Sequence, residues 1–110
     1  MEEIMKIGII IETKAAEKVW NALRFAIASL NKQNEVKIFL MGEAVEIDDI
    51  KDDQFDVANK RSDYEAAGGQ ILACGTCIKS RHLEDKTSCP ISTMNDCVDM
   101  VTWADKTVTF

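Results

Sequence analysis

The order of apolar segments predicts an α/β fold: a three-layer sandwich built on a mainly parallel sheet of four to five strands, with helices on both faces. Three observations carry that expectation. The runs KIGIII at 6–11 and VKIFLM at 36–41 are unbroken rather than alternating, as strands buried on both faces require. Between them, Ala16, Val19, Trp20, Leu23, Ile27 and Leu30 recur at helical spacing within 15–33. Strand, helix and strand in that order make a βαβ unit, whose crossover is right-handed.

The remaining elements follow in turn. Asn34 is the predicted stop of the first helix, and Gly42 closes the second strand. GEAVEIDDIKDDQFD, 42–56, is acidic and poorly periodic, so it reads as a solvated loop with one short helical turn. A weaker helix over 55–67 ends at Gly68-Gly69, where glycine permits the left-handed turn that closes a helix. QILAC, 70–74, is a third strand that runs into a helix starting near Thr76. Thr93 and Asp96 have the spacing of a helix cap before a last helix at 94–103. Its expected inner face is Met94, Cys97, Val98 and Val101. KTVTF, 106–110, is the closing strand.

Bulk properties bound the function. The 110 residues fit one domain, 1–110, and suffice for a core without staples. A net charge of −6 argues against a nucleic-acid backbone or an anionic membrane as the main partner. The apolar runs are too short to span a bilayer, and MEEIMKIGIII has neither the basic start nor the cleavage site of a signal peptide. A cytoplasmic protein with reduced thiols is expected, in which a disulfide would be functional rather than structural.

Parallel sheets place their sites beyond the carboxyl ends of the strands. Those ends are Glu12-Thr13, Gly42-Glu43 and Cys74-Gly75, and the third brings reactive chemistry. At a strand-to-helix junction the Cys74 thiolate would face the free N–H groups of the following helix. Arg81 lies seven residues after Cys74 and four after Cys77, a spacing that can share their helix face. Both effects favour the thiolate, which is the nucleophile. Gly75 permits close approach of a ligand to the backbone. Cys77, one turn on, either resolves a sulfur intermediate on Cys74 or packs. Cys97 reads as a core residue, and Cys89 as either a loop spectator or a second reactive thiol.

Other chemistries fit less well. C-x2-C with C-x7-C is not a usual zinc pairing, so no metal is expected. A thioredoxin-like exchanger carries its motif after an early strand and opposes it with a proline before a hairpin. Here the motif follows the third strand, and Pro90 precedes a helix. His82 is the single histidine, with no nucleophile elbow to serve, and neither G-x-G-x-x-G nor a Walker pattern is present.

IFLMGEAV, GGQILACGTCIKSR and the ending DMVTWADKTVTF together resemble the DsrE/DsrF-like family, and most nearly its small YchN-like branch. The resemblance spans nearly the whole chain. It implies a parallel α/β domain assembled as trimers or hexamers. In some members a cysteine persulfide relays sulfur between donor and acceptor proteins, without a metal or organic cofactor. Their relay cysteine matches Cys74, and Cys77 matches a second cysteine of some members. The family commonly has Arg-Gly after the cysteine helix; here His82 follows Arg81, and because His adopts the left-handed turn that glycine permits only at some cost, the loop after the helix is expected to be shaped differently.

The site expected from residues and resemblance together is Cys74 and Cys77 as reacting thiols, with Gly42, Gly75 and Arg81 around the bound sulfur. A persulfide is more acidic than a thiol, so it would gain from the same helix end and cation. Two alternatives stand beside the relay: a dithiol switch through Cys74 and Cys77, or a non-catalytic oligomeric binding protein. Trp103 and Phe110 are candidate subunit contacts.

Overall fold

A computed structural model describes residues 3–110. Five strands and four helices alternate: β1 Lys6–Ile11, α1 Ala16–Asn31, β2 Glu35–Leu40, α2 Val57–Ala66, β3 Gln70–Cys74, α3 Gly75–Ser80, β4 Ile91–Ser92, α4 Met94–Trp103 and β5 Lys106–Thr109. The sheet is wholly parallel, in the order β4-β3-β2-β1-β5. The expected strands are therefore present. β4 is an addition, too short at two residues to register as a hydrophobic run. Segment 42–56 is more ordered than a loop. Gly42–Asp49 forms a 3-10 helix kinked at Glu46, and it buries Ala44, Val45 and Ile47.

The topology fixes which layer each residue joins. From β1 to β4 each strand is laid beside its predecessor in one direction, so right-handed crossovers put the connections on one face. α1 and α2 pack together there. The last connection runs back across the sheet to β5, which places α4 on the opposite face. A Cβ on Gly8 would lie 3.2 Å from Ala104 Cβ and 3.4 Å from Met100 Cε, so β1 needs glycine for α4 to settle.

Strand periodicity then sorts the core. Ile9 and Ile11 of β1 and Ile38 and Leu40 of β2 are fully buried beneath the α1 stripe of Val19, Ala22, Leu23 and Ala26. Each large aliphatic side chain so buried contributes roughly 1.5–3 kcal/mol. The α4 face is thinner: Ile10 and Leu72 remain half-buried there. α4 itself corrects the expected inner face. Cys97 and Met100 turn inward, whereas Met94 (53 %), Val98 (56 %) and Val101 (44 %) are exposed.

Three helices end in the same hydrogen-bonded reversal, with a left-handed residue just past the cap. The residues are Gln33 (φ 71°), Gly68 (φ 96°) and His82 (φ 55°). In the last, His82 N donates to Lys79 O at 3.1 Å and Leu83 N to Ile78 O at 3.1 Å. The helix α1 thus stops at Gln33 rather than Asn34, whose Oδ1 instead accepts from Met5 N at 3.0 Å. After α2 the Tyr64 ring fills the space over Gly69, where a Cβ would lie 2.1 Å from it. The Tyr64 hydroxyl donates to Gln70 O at 2.8 Å, and burial pushes its phenol well above the usual range.

Candidate functional site

The carboxyl ends of β3 and β4 lie side by side, Cys74 in register with Ser92. The chain leaves β3 toward α3 on one face and leaves β4 toward α4 on the other. Neighbouring strand ends whose connections part in this way mark a topological switch point, the usual seat of a ligand in an open parallel sheet; here the two ends, Cys74 and Ser92, are both buried. Cys74 stands there as the residue that ends β3 and caps α3, with extended dihedrals (φ −63°, ψ 117°). Its thiol is only 3 % exposed.

Cys77 sits one turn into α3 and is half-buried. Its Sγ accepts a hydrogen bond from Gly42 N at 3.2 Å. That donor is aimed by the turn after β2, where Gly42 takes φ +58°, a conformation that strains any residue with a side chain. Gly42 therefore lies against Cys77 through its N–H. Gly75 is placed differently from expectation. The backbone that approaches it is the chain's own: a Cβ would lie 2.9 Å from Ser92 O and 3.2 Å from Ile91 Cγ2.

Arg81 falls at the far end of α3, not beside Cys74. The six residues of α3 lie between them, seven steps or roughly 10 Å along the axis. Its Nε donates to Glu46 Oε2 at 3.1 Å and its Nη1 to Cys77 O at 3.3 Å. The guanidinium caps the carboxyl end of α3 and pairs with the 3-10 segment. The hydrogen bond from Arg81, joined by Lys14 Nζ at 3.4 Å, holds the Glu46 carboxyl below the ordinary glutamate range. A hollow of about 350 Å³ opens next to this pair, lined by Lys14, Ala16, Glu46, Asp49, Ile50 and Lys51.

The other two cysteines separate. Cys97 is 5 % exposed and shares the α4 layer with Cys74. Burial pushes its thiol up, and the neighbouring Cys74 adds to the effect. Cys89 is also 5 % exposed, so it is no surface spectator, and burial raises its thiol too. It lies by an ionic knot that the sequence did not announce. Arg61 Nη1 donates to Asp48 Oδ1 at 2.8 Å and to Ser88 Oγ at 2.8 Å, and Ser88 donates to Asp48 from both Oγ (2.6 Å) and N (2.8 Å). Burial alone would raise the Asp48 carboxyl, but the bonds from Ser88 and the Arg61 charge hold it below the usual range. The knot joins the 3-10 segment, α2 and the loop before β4, and it lines a hollow of about 340 Å³. Its three residues are 13 to 40 positions apart, so no local motif marks it.

Among the described residues no set of three or more His, Cys, Asp and Glu side chains gathers at one point for a metal ion. No helix among them is long and apolar enough to cross a membrane.

Comparisons with known proteins agree with this architecture. The solved structure of a conserved protein of unknown function from Bacteroides thetaiotaomicron, BT1422, superposes with a TM-score of 0.76. That match covers 96 % of this chain and 94 % of the other at 19 % identity, which speaks to the fold alone. Two uncharacterized archaeal proteins are similar in sequence. MJ0989 of Methanocaldococcus jannaschii is 32 % identical over 115 residues, covering 96 % of this chain and 100 % of that one. MK0008 of Methanopyrus kandleri is 32 % identical over 100 residues, covering 86 % and 83 %. The family model for the DsrE/DsrF-like family matches residues 5–110, and the chain belongs to that family.

Proposed function

We propose that this protein is a cytoplasmic sulfur-relay protein that carries sulfane sulfur as a persulfide on Cys74, with Cys77 as the thiol nearer the surface. The observation that carries the reading is the position of Cys74: it ends β3 and caps α3, at the point where the connections of neighbouring strands part to opposite faces. Membership of the DsrE/DsrF-like family supports it, since relay members carry sulfur at the end of the third strand. The enclosure of Cys74 suits storage, because a persulfide sheltered from solvent is sheltered from stray thiols. Cys77 is suited to exchange: it is more open, and the Gly42 N–H holds its sulfur in place.

Loading needs attack by a thiolate on a donor's sulfane sulfur, and discharge needs attack by an acceptor thiol on the outer sulfur. Neither step calls for a metal or organic cofactor. The reading is tested by incubating the protein with potassium polysulfide and taking intact mass. An adduct of about 32 Da that persists in Cys77→Ala and vanishes in Cys74→Ala supports it. No adduct, or an adduct that survives Cys74→Ala, contradicts it.

The non-catalytic reading keeps a place because Cys74 is buried, 3 % exposed, and lines neither of the hollows described above, and because one helix face is left bare. Met94, Val98 and Val101 form an exposed apolar stripe on α4; Ile91 (53 % exposed) is bare too, but on the other face of the edge strand. We assign this stripe to contact between copies in a trimer or hexamer, which can coexist with a relay. Trp103 and Phe110 are less suited to that role. Trp103 lies under Lys37 Nζ at 4.3 Å, and Phe110 packs on Phe25 with ring centroids 5.9 Å apart. A switch through Cys74 and Cys77 has less support, because the two side chains turn to different sides of the sheet.

A further inference from the structure

C-x-x-C spacing invites pairing Cys74 with Cys77, but the sheet register pairs it elsewhere. Gly8 and Lys37 are neighbours across β1 and β2, as are Ile10 and Phe39, and Phe39 is matched to Leu72 on β3. Residues in register share a face, and a strand returns to that face every second residue, so Cys74 follows Leu72 onto it. It is the face that α4 covers, shown by the approach of Ala104 and Met100 to Gly8 and by Lys37 over Trp103. Cys97 lies on the inward stripe of α4 with Met100.

A hydrogen bond fastens this layer at the cysteine end. Ser92, the register partner of Cys74, donates from Oγ to Asp96 Oδ2 at 2.5 Å, one residue before Cys97. Thr93 caps the same turn, its Oγ1 accepting from Asp96 N at 3.2 Å. Both thiols are enclosed in one apolar cluster, 3 % and 5 % exposed. Cys77 faces away, its Sγ engaged by Gly42 N.

We propose that Cys97, and not Cys77, is the resolving thiol for Cys74, so that sulfur held on Cys74 leaves as hydrosulfide. The discharge rests on the sulfur-bearing reading of Cys74; the pairing does not. In the step, Cys97 passes its proton to the outer sulfur of the anionic persulfide, and its thiolate attacks the inner sulfur, Cys74 Sγ. The bond from Sγ to the outer sulfur breaks with its electron pair on the outer atom, which departs as HS⁻. A Cys74–Cys97 disulfide remains: the sulfane sulfur has been reduced and the two cysteine sulfurs oxidised. A dithiol reductant restores both thiols by exchange. The protein would then release sulfide as well as hand sulfur on.

Two experiments decide the two parts. Diamide accepts two electrons and two protons from a pair of thiols. After brief treatment of the native protein, alkylation and peptide mapping should find Cys74 linked to Cys97, with Cys77 alkylated. A Cys74–Cys77 link, or Cys74 and Cys97 both alkylated, overturns the pairing. In the second, protein loaded with potassium polysulfide is followed by intact mass and hydrosulfide assay. The native adduct should decay with release of hydrosulfide, and in Cys97→Ser it should last at least about tenfold longer. Equal lifetimes overturn the discharge. Circular dichroism checks that the serine variant folds, and Cys97→Ala is the substitute if it does not. Absence of any adduct on Cys74 refutes the sulfur-bearing reading and the discharge together, while the diamide result still decides the pairing.

Discussion

The two faces of the sheet are built to different standards. On one, α1 and α2 lie together over Ile9, Ile11, Ile38 and Leu40, and every one of those side chains is closed to solvent. On the other, the single helix α4 leaves Ile10 and Leu72 half-buried and presents Met94, Val98 and Val101 outward. The thick face holds the fold together. The thin face holds Cys74 and Cys97, and among the described residues nothing covers the outward apolar stripe of its helix. The proposed sulfur-bearing thiol and the proposed docking stripe thus lie on the two sides of one helix, α4.

The sharpest way to break this comparison is to truncate one residue on each face. Leu23→Ala, beneath α1, should cost about 2–5 kcal/mol in urea unfolding, through lost burial and the cavity left behind. Val98→Ala, on the outer side of α4, should stay within about 0.5 kcal/mol for the separated subunit. Equal losses would mean that α4 is as firmly built in as α1.

A smaller effect is expected at the knot that steadies the approach to β4. Asp48→Ala leaves the Arg61 guanidinium and the Ser88 hydroxyl without their acceptor and should cost about 1–3 kcal/mol. The folded protein holds this carboxyl below its ordinary value of 3.8. Its contribution is therefore complete above 3.8 and is lost as pH falls through the lower folded value. The native protein's stability advantage over the variant should accordingly shrink on acidification below 3.8, as read by denaturation at a series of pH values. An advantage that grows on acidification would contradict the assignment.

Smaller still is the gain expected from His82→Gly. His82 holds φ 55° at the end of α3, where glycine fits without a side-chain clash, so stability should rise by roughly 0.5 kcal/mol. Val98→Lys with Val101→Lys should leave the subunit's circular dichroism unchanged while light scattering shows a smaller particle. An unaltered particle size would remove α4 from the interface.

Much of the fold was legible because parallel strands must be continuous apolar runs, and KIGIII, VKIFLM and QILAC are. At His82 a loop of different shape was expected for want of the family's glycine, but histidine itself takes up the left-handed turn. The same turn at Gln33 was not legible, since glutamine carries no mark of it. The inner face of α4 was misread for a physical reason. Met94, Val98 and Val101 are apolar at helical spacing, but spacing does not tell a stripe that meets the sheet from one that meets another subunit. The position of Cys74 at a strand end was readable from the residues. The layer it enters depends on register parity across three strands, and Arg81's distance from it depends on α3 being six residues long.

The most direct test of the account is to map where sulfur sits. Protein loaded with potassium polysulfide is alkylated, digested and sequenced by mass spectrometry, so that a trapped persulfide is assigned to one cysteine. The account predicts the extra sulfur on Cys74, inside the thin face. Sulfur found on Cys77 or Cys89 with Cys74 unmodified would contradict it.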